Sequence, residues 1–235
     1  MDDFFSDKPY PGRFIIIGMD AGSTVVLYGA TGRSPSSLKR RFVELGDGIY
    51  MTSVDATVQL EGNPDLLEYP AIRFFENGIA VANGNHIERL DPLQNRSARQ
   101  QLSYALSEEA YEPDEHRTPR ITGCIVDSEK PDAALHVIRS TTNGIDKSAW
   151  DVPLRTGSGS YIATYAGNDV RPTPSFSGDP KEFPLSFGSP ENAARSLHGQ
   201  LAPSAGQSDY RVGFLAVYKK KNQDAETFIL NAHEI

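Results

Sequence analysis

Residues 13–37 read RFIIIGMDAGSTVVLYGATGRSPSS, and two folds compete for them. The stretch VVLYGATGRSPSS (25–37) has the outline of a strand running into the glycine-rich turn of a dinucleotide-binding fold. That motif needs a third glycine so that the following helix can pack closely on the strand. Here Ser34-Pro35-Ser36-Ser37 stands in its place, and no acidic residue ends a second parallel strand. The other reading fits better. RFIIIG (13–18) is a short apolar run closed by the turn Asp20–Gly22, and TVVLYGA (24–30) follows at once. Two such runs around a short turn predict a β-hairpin.

Outward from this hairpin the same grammar continues. Strands are predicted at VELGDGIYMTSVD (43–55), AIRFFE (71–76) and IAVANG (79–84), with Asn77-Gly78 as a hairpin turn between the last two. From Asp91 the period changes: Leu93, Leu102, Ala105, Leu106 and Ala110 recur at helical spacing, with Asp91-Pro92 as the expected N-cap and first helical residue. Strands resume at 120–127, 133–140 and 159–167. Residues 168–188 are rich in Pro, Gly and Ser and read as a long surface loop. Ser189-Pro190-Glu191 opens a second helix to about Gln200, and strands at 210–219 and 226–231 close the chain. There is no regular alternation of strand and helix, so a doubly wound parallel sheet is excluded. The expected class is α+β: two mainly antiparallel sheets packed together with helices outside, in a single domain over residues 1–235.

Composition bounds the function. The chain of 235 residues carries a net charge of −8, which argues against a general nucleic-acid binder. A small anionic ligand is still compatible, because a few arginines can build a local positive pocket. Cys124 is the one cysteine, so no disulfide framework exists and a reducing cytoplasm is expected. The acidic start MDDFFSDKP lacks the apolar stretch of a signal peptide, and no apolar run is long enough for a membrane span. The histidines (His86, His116, His136, His198 and His233) show no HExxH pattern, so no metal is expected. GSGSY (157–161) reads as a turn before a strand rather than a nucleophile elbow.

Several polar residues stand where elements end, which is where sites are built. Gly32 lets backbone approach a ligand, Arg33 and Arg40 offer forked donors, and Ser34 adds a hydroxyl. Glu68-Tyr69-Pro70 puts a phenol at a strand mouth. Asn83-Gly84-Asn85-His86 ends the next strand. Tyr111-Glu112-Pro113-Asp114-Glu115 leads through Arg117-Thr118-Pro119-Arg120 into another.

Six colinear segments together resemble the archaeal-type IMP cyclohydrolase family: YPGRFIIIG (10–18), YGATGRSPSSLKRRF (28–42), EYPAIRFFENGIAVANGNH (68–86), YEPDEHRTPRI (111–121), YIATYAG (161–167) and FGSPENAARSL (187–197). The resemblance implies a four-layer α-β-β-α sandwich like that of N-terminal nucleophile hydrolases, without their terminal nucleophile, since residue 2 is Asp. It implies ring closure of 5-formamidoimidazole-4-carboxamide ribonucleotide to IMP with loss of water. That intramolecular step needs a near-attack conformer and proton transfer, and no cofactor. Carried over by motif, Arg40, Tyr69 and Glu112 are the expected catalytic residues, with Lys39 and Arg41 as alternatives to Arg40. Arg33, Ser34, Arg13, Asn83, Asn85 and Arg120 are expected substrate contacts. The expected partner is a purine nucleotide, and the resemblance allows a homo-oligomer. Two departures stand out: nine residues precede the Tyr-x-Gly-Arg opening, and the 168–188 loop exceeds what a minimal member needs. A non-catalytic nucleotide-binding relative and an amide hydrolase of the same fold are the alternative readings.

Overall fold

The computed structural model describes residues 4–55, 64–90 and 96–234. The opening hairpin forms as expected, with β1 (Arg13–Asp20) antiparallel to β2 (Ser23–Thr31). Together with β10 (Ser158–Ala163), β11 (Lys181–Pro184), β12 (Arg211–Lys219) and β13 (Ala225–Asn231) it builds a six-stranded sheet in the order β11-β10-β1-β2-β12-β13. The second sheet has seven strands in sequence order. They are β3 (Arg40–Leu45), β4 (Gly48–Ser53), β5 (Tyr69–Phe75), β6 (Gly78–Ala82), β7 (Arg120–Val126), β8 (Asp132–Thr141) and β9 (Gly144–Asp151). Every named strand pair is antiparallel. The fold is an α+β sandwich.

Alternation sorts each strand into two faces. On β1, Ile15 and Ile17 point between the sheets, and Ile17 reaches so close to Gly123 of β7 that a Cβ there would lie 2.5 Å from its Cδ1. On β12, Gly213 faces Phe42 of β3, while Phe214 faces outward to His198. The outward faces are covered by the helices. α1 (Pro35–Leu38) and α2 (Pro64–Leu67) are single turns. α3 (Ala98–Ala105) lays Ala98 and Leu102 over Ala80, Ala82, Cys124, Ala134 and Ile138 of the seven-stranded sheet. α4 (Pro190–Gln200) lays Ala193, Ala194 and Leu197 over β12 and β13 of the other. Among the described residues no helix is long and apolar enough to cross a membrane.

The structure departs from the sequence reading in several places. VELGDGIYMTSVD is two strands rather than one, because Gly46 at φ +56° turns the chain between β3 and β4. β9 was not expected: it is a mostly exposed edge strand without an apolar stripe, so its period carries no signal. The Asp91-Pro92 cap lies outside the described residues. The helical segment seen is capped by Ser97, whose hydroxyl accepts from Gln100 N while the Gln100 side chain reaches back. Residues 168–188 are not simply a surface loop. They contain β11 and bury Phe176, Phe183, Leu185 and Phe187, and buried Asp20 accepts from the amides of Phe187 and Gly188 at 2.8 Å each.

Gly29 of β2 faces the ring of Phe14 on β1, and a Cβ there would lie 2.2 Å from its Cζ. Both sites are fully enclosed, so Gly29→Ala should destabilise the chain by about 1–3 kcal/mol through overpacking. Phe14→Leu in the same chain should recover part of that loss. Urea unfolding of the two single variants and the double variant measures the coupling.

Candidate functional site

The inward face of the sandwich turns polar at one end. Gly12, at φ +75°, brings the start of β1 so close to Thr164 and Tyr165 that a Cβ would lie 2.1 Å from Thr164 Oγ1. Only glycine fits that approach and that dihedral. It sets Arg13 as the first inward residue of β1, and Arg13 Nη2 donates to Glu112 Oε1 at 2.9 Å and Oε2 at 3.1 Å. Glu112 arrives from the loop before β7, fixed by its own amide donating to Thr118 O at 2.8 Å. Thr118 is held in turn by Asp114, which accepts from its amide and from its hydroxyl. Asn83, just beyond β6, donates from Nδ2 to Glu112 Oε1 (2.7 Å) and Pro119 O (3.0 Å), and its Oδ1 accepts from Ile121 N (2.7 Å). The Glu112 carboxylate thus receives N–H groups from two side chains of two sheets.

Across the same space, Tyr69 opens β5 and its hydroxyl lies 3.0 Å from that of Tyr28 on β2. Arg40 opens β3. Its Nε donates to Ser37 O at 3.1 Å, and its Nη2 is buried without a hydrogen-bond partner, as is Arg13 Nε. Arg13, Tyr28, Arg40, Tyr69, Asn83 and Glu112 are all buried.

Electrostatics follow from that burial. Desolvation raises the Glu112 carboxyl above the ordinary glutamate value, and Arg13 opposes the rise. Its donors are those of an ionised carboxylate. Burial, with the neighbouring Arg13 cation, lowers Arg40 below the usual guanidinium value. Two guanidiniums face one carboxylate, which leaves a buried positive excess with unpaired N–H groups. Such an arrangement favours a ligand oxygen that carries or gains negative charge.

The expected site residues divide. Arg13, Arg40, Tyr69, Asn83 and Glu112 come together. Lys39 is exposed, and Arg41, next to Arg40 on β3, is only half-buried, so of the three basic neighbours Arg40 is the one buried in the cluster. Arg120 flanks the cluster: its Nη1 donates to His86 Nδ1 at 2.8 Å, which leaves His86 Nε2–H for Thr122 Oγ1 at 2.9 Å. Burial, reinforced by Arg120, keeps His86 well below the usual imidazole range, so it is neutral. Asn85 opens a 3-10 turn (Asn85–Arg89). Ser34 caps α1 from an exposed position, accepting from Ser37 N.

Arg33 stands apart. It donates to Asp169 Oδ1 (3.1 Å) and Thr173 Oγ1 (2.6 Å) and lies 4.3 Å over the Tyr10 ring. That ring stacks on Tyr165, whose hydroxyl meets Thr118 at 2.9 Å. His116 is exposed beside Glu115. Among the described residues no group of three or more His, Cys, Asp and Glu side chains is placed to hold a metal ion. Sequence reasoning passed over Tyr28, Thr118 and Tyr165. For Tyr28 a signal existed, because a tyrosine on the inward face of a hairpin needs a partner for its hydroxyl.

A family model described as IMP cyclohydrolase-like protein matches residues 10–223. A protein of Thermococcus kodakarensis named IMP cyclohydrolase is 32% identical over 117 residues, 49% of this chain and 56% of that protein. Proteins of the same name from Methanothrix thermoacetophila and Methanocaldococcus jannaschii are 28% and 25% identical. Those matches cover 69% and 66% of this chain, and 77% and 73% of theirs. The match to the Thermococcus protein therefore spans little more than half of its length.

Arg13→Met should destabilise the chain by about 3–5 kcal/mol at neutral pH, because it strands a buried carboxylate. Without its cation, Glu112 has a folded-state pKa raised further above the unfolded value. The folded state then binds the extra proton as pH falls, so the deficit should shrink towards acid pH. Urea unfolding of both proteins at neutral and mildly acidic pH tests this, and a pH-independent deficit contradicts it.

Proposed function

The chain belongs to the IMP cyclohydrolase-like family, and from that premise we propose that it closes the purine ring, converting 5-formamidoimidazole-4-carboxamide ribonucleotide to IMP and water. The observation that carries the reading is the convergence of Arg40, Tyr69 and Glu112 in one buried cluster with Arg13. They come from three separate segments of the chain, each within a stretch that resembles the family. Ring closure needs what this cluster offers. Both reacting groups belong to one molecule, so orientation replaces encounter. The carboxamide nitrogen must lose a proton as it attacks, and the formyl oxygen must gain one. Glu112 and Tyr69 are the groups for those transfers. The unpaired N–H groups of Arg13 and Arg40 meet charge that develops on the substrate oxygen. Asn83 holds Glu112 rather than substrate, since its amide is already bonded to Glu112, Pro119 and Ile121.

The proposal includes the finer architecture, kinship with the four-layer N-terminal nucleophile hydrolases. The placement of one helix outside each sheet supports it. It includes a purine nucleotide as partner, a cytoplasmic location, and Arg33 as the outlying cation for the nucleotide phosphate. Assembly into a homo-oligomer is read by light scattering.

Purified protein should form IMP from the formylated nucleotide in the presence of EDTA. IMP binding without turnover would favour the non-catalytic alternative, and activity on other amides alone would favour the hydrolase. Glu112→Gln and Tyr69→Phe should each lower kcat about 10²-fold; near-normal turnover in both removes the mechanism. Arg40→Met should lower kcat about 10²-fold with little change in KM, because the charge it meets develops only in the transition state.

If ionised Glu112 is required, kcat/KM should fall as pH drops through its carboxyl value. The acid limb should therefore lie above the ordinary glutamate range. A limb at or below that range would remove Glu112 as its source.

A further inference from the structure

Tyr28 carries a consequence for how the two proton transfers are divided. Its hydroxyl lies 3.0 Å from that of Tyr69, and both residues are buried. Tyr28 sits deeper in the sandwich than Arg13. Its register partners are Ile15 and Leu215, whereas Arg13 pairs with Ala30, two residues nearer the end of β2. The ring of Phe42 packs edge-on against it, with centroids 5.5 Å apart. Behind Tyr28, then, lie apolar side chains.

One of two facing hydroxyls donates and the other accepts. If Tyr69 donated, the Tyr28 proton would be left among the Phe42 ring and the Arg13 and Arg40 guanidiniums, none of which can accept it, which is costly in a buried site. If Tyr28 donates, the Tyr69 proton is directed to the cluster. There the two nearby guanidiniums have only N–H groups and cannot accept it. The proton is thus held for a ligand oxygen. Burial also raises the Tyr28 hydroxyl well above the ordinary phenol value, so it keeps its own proton.

We propose that Tyr28 is a positioning residue for ring closure, donating its hydroxyl to the Tyr69 oxygen so that Tyr69 acts as the acid and Glu112 as the base. The proposal rests on the cyclohydrolase reading. The carboxamide nitrogen forms its bond to the formyl carbon and gives a proton to the Glu112 carboxylate. The formyl oxygen takes the Tyr69 proton and becomes the hydroxyl of a carbinolamine. The Tyr69 oxyanion is then met by the Tyr28 O–H and by the Arg13 and Arg40 cations. In the second step the C–O bond breaks, Glu112 returns its proton to the departing oxygen as water, and the ring nitrogen beside that carbon loses its proton to Tyr69. Both side chains end as they began, and the sum is substrate to IMP plus one water.

Tyr28→Phe tests the assignment, because it removes one oxygen and keeps the ring. The expected result is a kcat lowered about tenfold, as for one charge-assisted hydrogen bond, with KM within about twofold. The alkaline limb of the pH–rate profile should move to higher pH while the acid limb stays. A second reading does not depend on turnover. With tyrosines carrying carbon-13 at the ring carbon bonded to oxygen, the Tyr69 resonance (assigned by its loss in Tyr69→Phe) should titrate at higher pH in Tyr28→Phe. Phe42→Leu, which loosens the packing around Tyr28 but keeps the hydroxyl, should leave both titrations in place. An unmoved Tyr69 resonance in Tyr28→Phe, or an equal shift in Phe42→Leu, overturns the role of Tyr28. If wild-type protein forms no IMP, the cyclohydrolase reading fails, and the carbon-13 titrations alone decide whether Tyr28 positions Tyr69.

Discussion

A buried guanidinium and a buried carboxylate constrain everything around them, because neither tolerates the interior without a partner. Arg13 and Glu112 meet between the two sheets, one from the first strand and the other from a loop that precedes β7. Their contact requires that Gly12 approach Thr164, that Asn83 hold the carboxylate from the second sheet, and that Thr118 anchor the loop. Each of these demands is met by a residue whose own hydrogen bonds are complete. The site is therefore built into the seam of the sandwich and not added to its rim.

The same seam explains why the cluster is chemically unbalanced. Along most of the interface the inward positions are Ile, Val, Leu and Gly, which pack without polar atoms to satisfy. At one end they become Arg13, Arg40, Tyr28, Tyr69 and Asn83. A second guanidinium beside the ion pair leaves positive charge and free N–H groups where solvent is largely excluded. Stability alone would not favour that arrangement, since an apolar pair of similar volume costs less to bury. Oriented, unpaired donors of this kind suit a ligand oxygen that carries or gains negative charge.

Two surface clefts lie elsewhere. One, of about 820 Å³, is lined by the Lys219–Asp224 turn and by Asp127 and Glu129; another, of about 450 Å³, runs beside Ser204–Tyr210. Neither includes Arg40, Tyr69 or Glu112.

Much of the fold was legible in the sequence, because hairpins announce themselves locally. Asn77-Gly78 and Asp20–Gly22 are turn signals between alternating apolar runs, and β1, β2, β5, β6, β7, β8, β12 and β13 lie where those runs lie. β9 and β11 were not legible: an edge strand with polar residues has no period, and β11 is short and set among prolines. The motif resemblance singled out Arg40, Tyr69, Glu112, Arg13 and Asn83, and residue types at element ends had already marked all of these but Arg13. No spacing along the chain could show that these five meet while Arg33 and Ser34 stand apart, or that Tyr28 backs Tyr69. Those contacts join residues up to 99 positions apart, as Arg13 and Glu112 are. The sequence determined which strands form and which face of each is apolar, since that depends on neighbours two residues away. Which polar groups share the seam was decided only when the two sheets closed on one another, because burial and hydrogen-bond partners are properties of the packed pair and not of either strand.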